Sequence, residues 1–228
     1  MSGPAVACEI GLEERARTSL GSSSNAIYRM VGGALDRHGA RGGTLADVGC
    51  GAGHLWRAIG GRFTRYLGLD AVRYDGFPTE GEFHRVDLDA SDWAVGAAAA
   101  DVVTALETIE HLDNPWIFMR RLAALAKPGA WIVVTTPNQL SALSLLALVF
   151  KKRFSAFQDA HFPTHRTALL ESDLQRAAHE AGLQTVEINY SLHGRLPLTP
   201  WHYPAAVAAL FPRALSDNVM LVARKPHA

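Results

Sequence analysis

The 228-residue chain sets 22 Lys and Arg against 22 Asp and Glu and is 48% hydrophobic and 19% charged. It therefore carries enough apolar material for one large core, and disorder is excluded as its global state. The zero formal net charge removes the overall positive field that draws proteins non-specifically onto nucleic acid, which argues against a nucleic-acid partner. The longest apolar stretch, LSALSLLALVF at 140–150, is 11 residues, against the roughly 20 that a spanning helix needs. The opening MSGPAVACEIGLEERAR lacks the basic-then-apolar order of a signal peptide. Cys8 and Cys50 have no metal-type spacing, so reduced thiols in a cytoplasmic protein are expected. With no repeats or linker-bounded segments, residues 1–228 read as one domain.

In chain order, residues 9–40 read as an N-terminal helical segment, with SSSN (22–25) a cap before AIYRMVGGAL. TLADVGCGAGHLWRAIGG (44–61) is a short apolar strand, a glycine-rich turn and a helix with Leu55 and Ile59 at i, i+4. RYLGLDA (65–71) is a second buried strand, FHRVDLDASDW (83–93) a third short one, and DVVTAL (101–106) a fourth. The amphipathic helix WIFMRRLAALA follows, started by Asn114 and Pro115 and stopped by Pro128 and Gly129. AWIVVTTPN (130–138) is a fifth strand. Residues 139–170 hold an apolar helix, the basic KKRF and the loop AHFPTHRT, and form a lid or insertion over the substrate site. The helix ESDLQRAAHEAG then precedes LQTVEINY, a Pro-rich link, the short helix PAAVAALF and SDNVMLVARK, with two final strands. Strands apolar on both faces, alternating with helices, predict a doubly wound, mainly parallel α/β sheet with helices on both faces.

Three acids coincide with the expected strand ends. Gly49, Gly51 and Gly53 lie between strand and helix, where glycine permits a sharp bend and a close ligand approach, and a helix start offers N–H donors. Asp70 ends the second strand, placed to accept hydrogen bonds from vicinal ribose hydroxyls. Asp87, at the end of the third, is placed to meet an adenine amino group. Asp47, under the glycine turn, either orients it or receives a ligand ammonium group.

With these residues the chain resembles the class I S-adenosylmethionine-dependent methyltransferases. The resemblance rests on LADVGCGAG (45–53), YLGLD (66–70), RVDLD (85–89), DVVTALETIEHLDNP (101–115), LAKPGAWIVVTTPN (125–138) and LQRAAHEAGL (174–183), and covers about residues 40–190. A nicotinamide-binding fingerprint is absent, because the turn is G-x-G-x-G followed by His54. The resemblance implies a Rossmann-like, seven-stranded sheet with the last strand antiparallel, and S-adenosylmethionine at the strand ends. Cys50, Ala71, Leu88 and Leu106 then join Asp47, Asp70, Asp87 and the three glycines as donor-binding residues.

ETIEH (107–111) follows the fourth strand. In a helix begun at Ala105, Glu107 shares a face with Glu110 and His111, a mixed oxygen and nitrogen set suited to Mg, Mn or Zn. Such an ion would hold an acceptor hydroxyl and lower its pKa. The E-x-x-E-H run resembles that of the ubiquinone-biosynthesis O-methyltransferases and of the small-RNA terminal 2′-O-methyltransferases. In the RNA group a later histidine is a further ligand; His161 and His165 both qualify and the sequence gives no reason to choose between them, His165 being entered as the fourth member of the set. Without a metal, Glu107 and Glu110 position the acceptor and His111 is a general base.

The function expected is O-methylation of a small-molecule, glycan-like or isoprenoid acceptor. RNA terminal ribose methylation and a non-catalytic, donor-binding regulator are the alternatives. Trp201, His202 and Tyr203 are expected in the substrate wall, and Tyr28 and Arg29 at the donor's carboxylate. Residues 141–154 are either a core or lid helix or a peripheral membrane contact.

Overall fold

The computed structural model describes residues 21–93, 95–162 and 164–227; Cys8 and the first part of the expected N-terminal helical segment lie outside the described residues. Helix α1 (Asn25–Arg37) begins at Ser24, whose hydroxyl accepts the Ile27 N–H, and buries Ile27, Val31, Ala34 and Leu35. Strand β1 (Thr44–Val48) is buried at every position. It leads through the glycine turn to α2 (His54–Ile59). Then come β2 (Arg65–Asp70), β3 (Glu82–Arg85) and β4 (Ala100–Leu106), followed by α3 (Pro115–Leu125) and β5 (Ala126–Pro137). Helix α4 (Ala142–Lys151), α5 (Glu171–Glu180), β6 (Gln184–Tyr190), α6 (Ala205–Ala208) and β7 (Asn218–Arg224) complete the order.

The seven strands form one sheet in the order β3-β2-β1-β4-β5-β7-β6. β7 alone runs antiparallel, pairing with β5 and β6, while β1 through β5 pair in parallel. The expected doubly wound sheet with helices on both faces is therefore present. Alternate side chains of each strand feed opposite cores. Leu67, Leu69, Val219 and Leu221 pack with Phe118, Leu122 and Leu174 on the α3–α5 side. On the other, Tyr66, Met220 and Val222 meet Ile27, Leu35, Leu55 and Ile59 from α1 and α2.

Three boundaries differ from the sequence expectation. No helix starts at Ala105: β4 continues through Leu106, Glu107 takes a left-handed φ of 50°, and only a 3₁₀ turn, Ile109–His111, follows. β3 ends at Arg85, so Asp87 is not a strand-end residue. Pro128 and Gly129 do not stop α3, which ends at Leu125, where Ala126 already pairs with Ala100. The register then jumps to Val102 opposite Trp131, so Lys127–Ala130 is accommodated as a bulge, with Gly129 at φ 78°. No helix among the described residues is long and apolar enough to cross a membrane.

Candidate active site

The chain winds outward from β1 through β2 to β3, then crosses back to lay β4 on the other side of β1. That reversal opens a crevice at the carboxyl ends of the strands, where α/β folds bind ligands. A cavity of about 530 Å³ occupies it.

The glycine turn forms one wall. Gly49 and Cys50 donate their N–H groups to the Leu69 carbonyl, at 2.8 and 3.2 Å. Gly49 has φ 74°, and a Cβ there would overlap the Thr108 hydroxyl; at Gly51, φ 51°, it would strike the Gly21 carbonyl. Only glycine satisfies both the dihedral and the space. The Gly51 N–H donates to Asp70 Oδ2 at 2.8 Å, so the turn holds the acid at the end of β2. Burial raises the Asp70 pKa, opposed by that bond and by those from the Val72 and Ala71 N–H groups. Asp47 accepts hydroxyl hydrogen bonds from Tyr66 and Thr104, each at 2.9 Å, bracing β1 against β2 and β4. Burial pushes its pKa up to about 6.

Asp47, Gly49, Cys50 and Asp70 line the cavity, with Ala71, Leu88 and Leu106 beside them. Burial pushes the Cys50 thiol well up, so it is no nucleophile. Gly51 and Gly53 act from behind the wall, Gly53 as the N-cap residue of α2. Asp87 is not in the wall: it is exposed and its carboxylate accepts the Asp89 N–H at 3.0 Å, closing a local turn. Because β3 ends early, Leu88 and Asp89 face the cavity instead. Tyr28 and the preceding Gly21–Ser24 segment also line the cavity, Gly21 packed on the turn through its carbonyl, which accepts the Ala52 N–H at 3.3 Å, whereas Arg29, Trp201, His202 and Tyr203 do not line it.

The ETIEH residues meet at the far wall, by a route other than a shared helix face. Glu107 Oε1 accepts the Thr135 hydroxyl at 2.8 Å and Oε2 the Asn218 amide at 2.7 Å, so β5 and β7 hold it. Glu110 is fully buried, and its Oε2 accepts the Thr136 hydroxyl at 3.1 Å. Among the described residues its Oε1 has no hydrogen-bond partner. Burial raises both pKa values, that of Glu110 to about 8, and at Glu107 the Glu110 charge adds to the rise that burial causes.

His111 places Nδ1 2.8 Å from the Thr164 carbonyl. A carbonyl accepts only, so the proton sits on Nδ1 and Nε2 keeps its lone pair. That nitrogen lies 4.0 Å from Glu110 Oε1. His165 repeats the device, its Nδ1 2.6 Å from the Ala156 carbonyl. The two rings are edge to face, with centroids 4.8 Å apart. Burial lowers the His111 pKa; burial and the neighbouring His111 push His165 down to about 4. Among the described residues, Glu110, His111 and His165 each bring one donor atom to within 4.8 Å of the others. Glu107 is outside that group, and so is His161, which stacks on His165 at 5.5 Å and stays exposed.

Residues the motifs did not flag include Thr135, Thr136 and Asn218. The two threonines lie in VVTTPN, a run of buried β-branched residues, and nothing in it distinguishes a hydroxyl that packs from one that aims a carboxylate.

Fold and site together give an α/β domain with an acid-rich cavity at the strand ends. A methyltransferase domain family model matches residues 28–188, and the chain belongs to that family, with S-adenosylmethionine as its methyl donor. A ubiquinone biosynthesis O-methyltransferase of Thiobacillus denitrificans is 30% identical over 152 residues, 63% of this chain and 66% of that relative. One from Nitrosospira multiformis is 30% identical over 167 residues, 68% and 69% of the two chains. Among solved structures, a Burkholderia thailandensis 1,6-didemethyltoxoflavin-N1-methyltransferase with bound S-adenosylhomocysteine aligns at TM-score 0.63 and 16% identity, over 99% of this chain and 92% of its own. An Archaeoglobus fulgidus S-adenosylmethionine-dependent methyltransferase gives 0.59 at 18% identity, over 87% and 94%. At these identities the structural likeness concerns the fold.

Proposed function

We propose that the chain transfers the donor's methyl group to a hydroxyl oxygen of a small-molecule acceptor, held at the far wall by Glu110, His111, His165 and a divalent cation. The carrying observation is the buried, unpartnered Oε1 of Glu110 beside two imidazoles whose Nδ1 atoms are already committed to carbonyls. An orphaned buried carboxylate oxygen is costly, and a carbonyl on the remote ring nitrogen is the arrangement that orients metal-binding histidines. The residues thus fit an ion of the Mg, Mn or Zn kind, and Glu107, expected as a ligand but outside the three-residue group, is read as a positioning group. When bound, such an ion supplies Lewis-acid chemistry that lowers the acceptor hydroxyl's pKa. The small-molecule character draws on the ubiquinone biosynthesis O-methyltransferases that the chain resembles.

Asp70 is suited to the ribose hydroxyls, Leu88 to one face of the adenine, and Asp89 takes the place expected of Asp87. Transfer forms a carbon–oxygen bond as the sulfur–methyl bond breaks, the electron pair returning to sulfur and the hydroxyl proton leaving to a base or to water. Alignment of oxygen, methyl and sulfur in a desolvated pocket carries most of the rate enhancement. A second reading gives His111 Nε2 the hydroxyl proton directly; the neutral ring with its fixed tautomer favours it.

Incubation with labelled S-adenosylmethionine and pooled metabolites, with and without chelator, tests both readings. Loss of labelling on chelation, restored by Mn²⁺ together with a calorimetric Mn²⁺ signal that disappears in His165→Ala, supports the metal reading. Indifference to chelator supports His111 as base. Failure of S-adenosylhomocysteine to bind would end the proposal.

A further inference from the structure

The sulfur of S-adenosylmethionine bears three arms. With the nucleoside at Asp70 and the methyl group turned to the Glu110 wall, the amino-acid arm is left the remaining wall of the cavity, Gly21–Ser24 with Tyr28. That wall is held in place. Gly21 is pressed between the Tyr74 ring and the glycine turn, where an added Cβ would come within 2.9 Å of the ring and 3.0 Å of the Gly51 Cα. Tyr28 is tied to the same segment through its oxygen, which accepts the Ser23 N–H at 2.9 Å.

The arm ends in a carboxylate, for which a guanidinium is the best-matched side chain. Among the described residues the cavity lining holds five acids, Asp47, Asp70, Asp89, Glu107 and Glu110, and no Lys or Arg. The neighbouring guanidiniums point elsewhere. Arg57 donates to the Gly76 carbonyl and lies 3.0 Å from His54 Nδ1. Arg29 faces the His193–His202 pair, its charge adding to the burial that lowers the His193 pKa. The Tyr28 hydroxyl remains. An oxygen that accepts the Ser23 N–H still has its own proton to give. The phenol keeps that proton, because burial raises its pKa, the bond from Ser23 opposing and the Asp47 charge adding to the rise. The same Asp47 charge suits the ammonium group of the arm.

We infer that Tyr28 sets the donor specificity of this wall: its hydroxyl donates to the methionine carboxylate, a neutral contact in place of an ion pair, so the site admits donors that lack the carboxylate. This rests on the nucleoside lying at Asp70 and is independent of the acceptor and of any cation.

Calorimetry on the full chain with S-adenosylhomocysteine and with its decarboxylated aminopropyl analogue tests it. Wild type should bind the analogue about 10- to 30-fold more weakly, the worth of one hydrogen bond to a charged group. Tyr28→Phe keeps the ring and should weaken S-adenosylhomocysteine by the same factor, while the Kd of the analogue, which reports an intact fold, stays unchanged. Asp70→Asn should weaken both ligands alike. A loss in Tyr28→Phe shared equally by the two ligands, or no loss for either, overturns the inference and leaves the nucleoside placement standing. So does a wild-type preference for S-adenosylhomocysteine above about 300-fold, which requires a cationic partner for the carboxylate. No weakening of either ligand in Asp70→Asn removes the nucleoside placement, and the inference with it.

Discussion

Glu110→Gln isolates the electrostatic strain of the site, because it keeps the shape and removes the charge. Glu110 has an ordinary pKa of 4.5, raised in the fold to about 8 by burial. The folded state therefore holds a proton that the unfolded chain has already released, and stability falls as pH rises from 4.5 through 8. At pH 7 the penalty amounts to about 3 kcal/mol, and a further ~1 kcal/mol accrues between pH 7 and pH 8. The histidines act with the opposite sign. Their lowered folded pKa values destabilise the fold in acid, an effect that ends as pH passes the unfolded value of 6.5. Asp47, at about 6, also completes its change below pH 7. The window from pH 7 to 8 thus reports chiefly the Glu107–Glu110 pair, Glu107 contributing in the same direction. Urea unfolding of the metal-free protein should show wild type losing stability across that window. Glu110→Gln should be flatter and more stable at pH 7 by about 2–3 kcal/mol, or about 4–12 °C in Tm, while losing methyl transfer. Equal pH slopes in the two proteins, or a variant less stable at pH 7, would refute the reasoning.

Asp70→Asn keeps an acceptor for the Gly51 N–H but removes the charge offered to the donor; calorimetry with S-adenosylhomocysteine should show Kd raised about 10- to 100-fold. Gly51→Ala puts a Cβ against the Gly21 carbonyl at a left-handed φ, so circular dichroism should stay native while donor affinity drops about tenfold or more. Asn218→Ala removes the 2.7 Å donor from Glu107; about 1–3 kcal/mol of stability should be lost, along with turnover, while titration shows unchanged S-adenosylhomocysteine affinity. Metal removal should restore the site's protonated form, so chelator should extend the wild-type loss of urea stability to higher pH, up through about 8, and leave Glu110→Gln unmoved.

The alternation of apolar strands and helices was enough to state the doubly wound sheet, because period-two burial and helix punctuation are local properties written residue by residue. The glycine turn and Asp70 were legible for the same reason: a left-handed dihedral and a strand-end carboxylate leave their mark in a few consecutive residues. The resemblance of these motifs to the methyltransferases carried the donor with them.

Contacts between distant strands were not legible. ETIEH announced a cluster, yet a helix starting at Ala105 was the wrong way to assemble it, because pairing with β5 keeps the chain extended through Leu106 and a left-handed Glu107 then turns it. The choice of His165 over His161 depends on which ring the Ala156 carbonyl seizes. The replacement of Asp87 by Asp89 in the cavity follows from β3 ending two residues sooner than its sequence suggests. Residue type and spacing thus determined what chemistry the chain carries, since both are fixed by covalent order. Which oxygen stays unpaired and which nitrogen keeps its lone pair only the tertiary structure decided, since Thr135, Thr136, Ala156, Thr164 and Asn218 reach the site from strands and loops far along the chain.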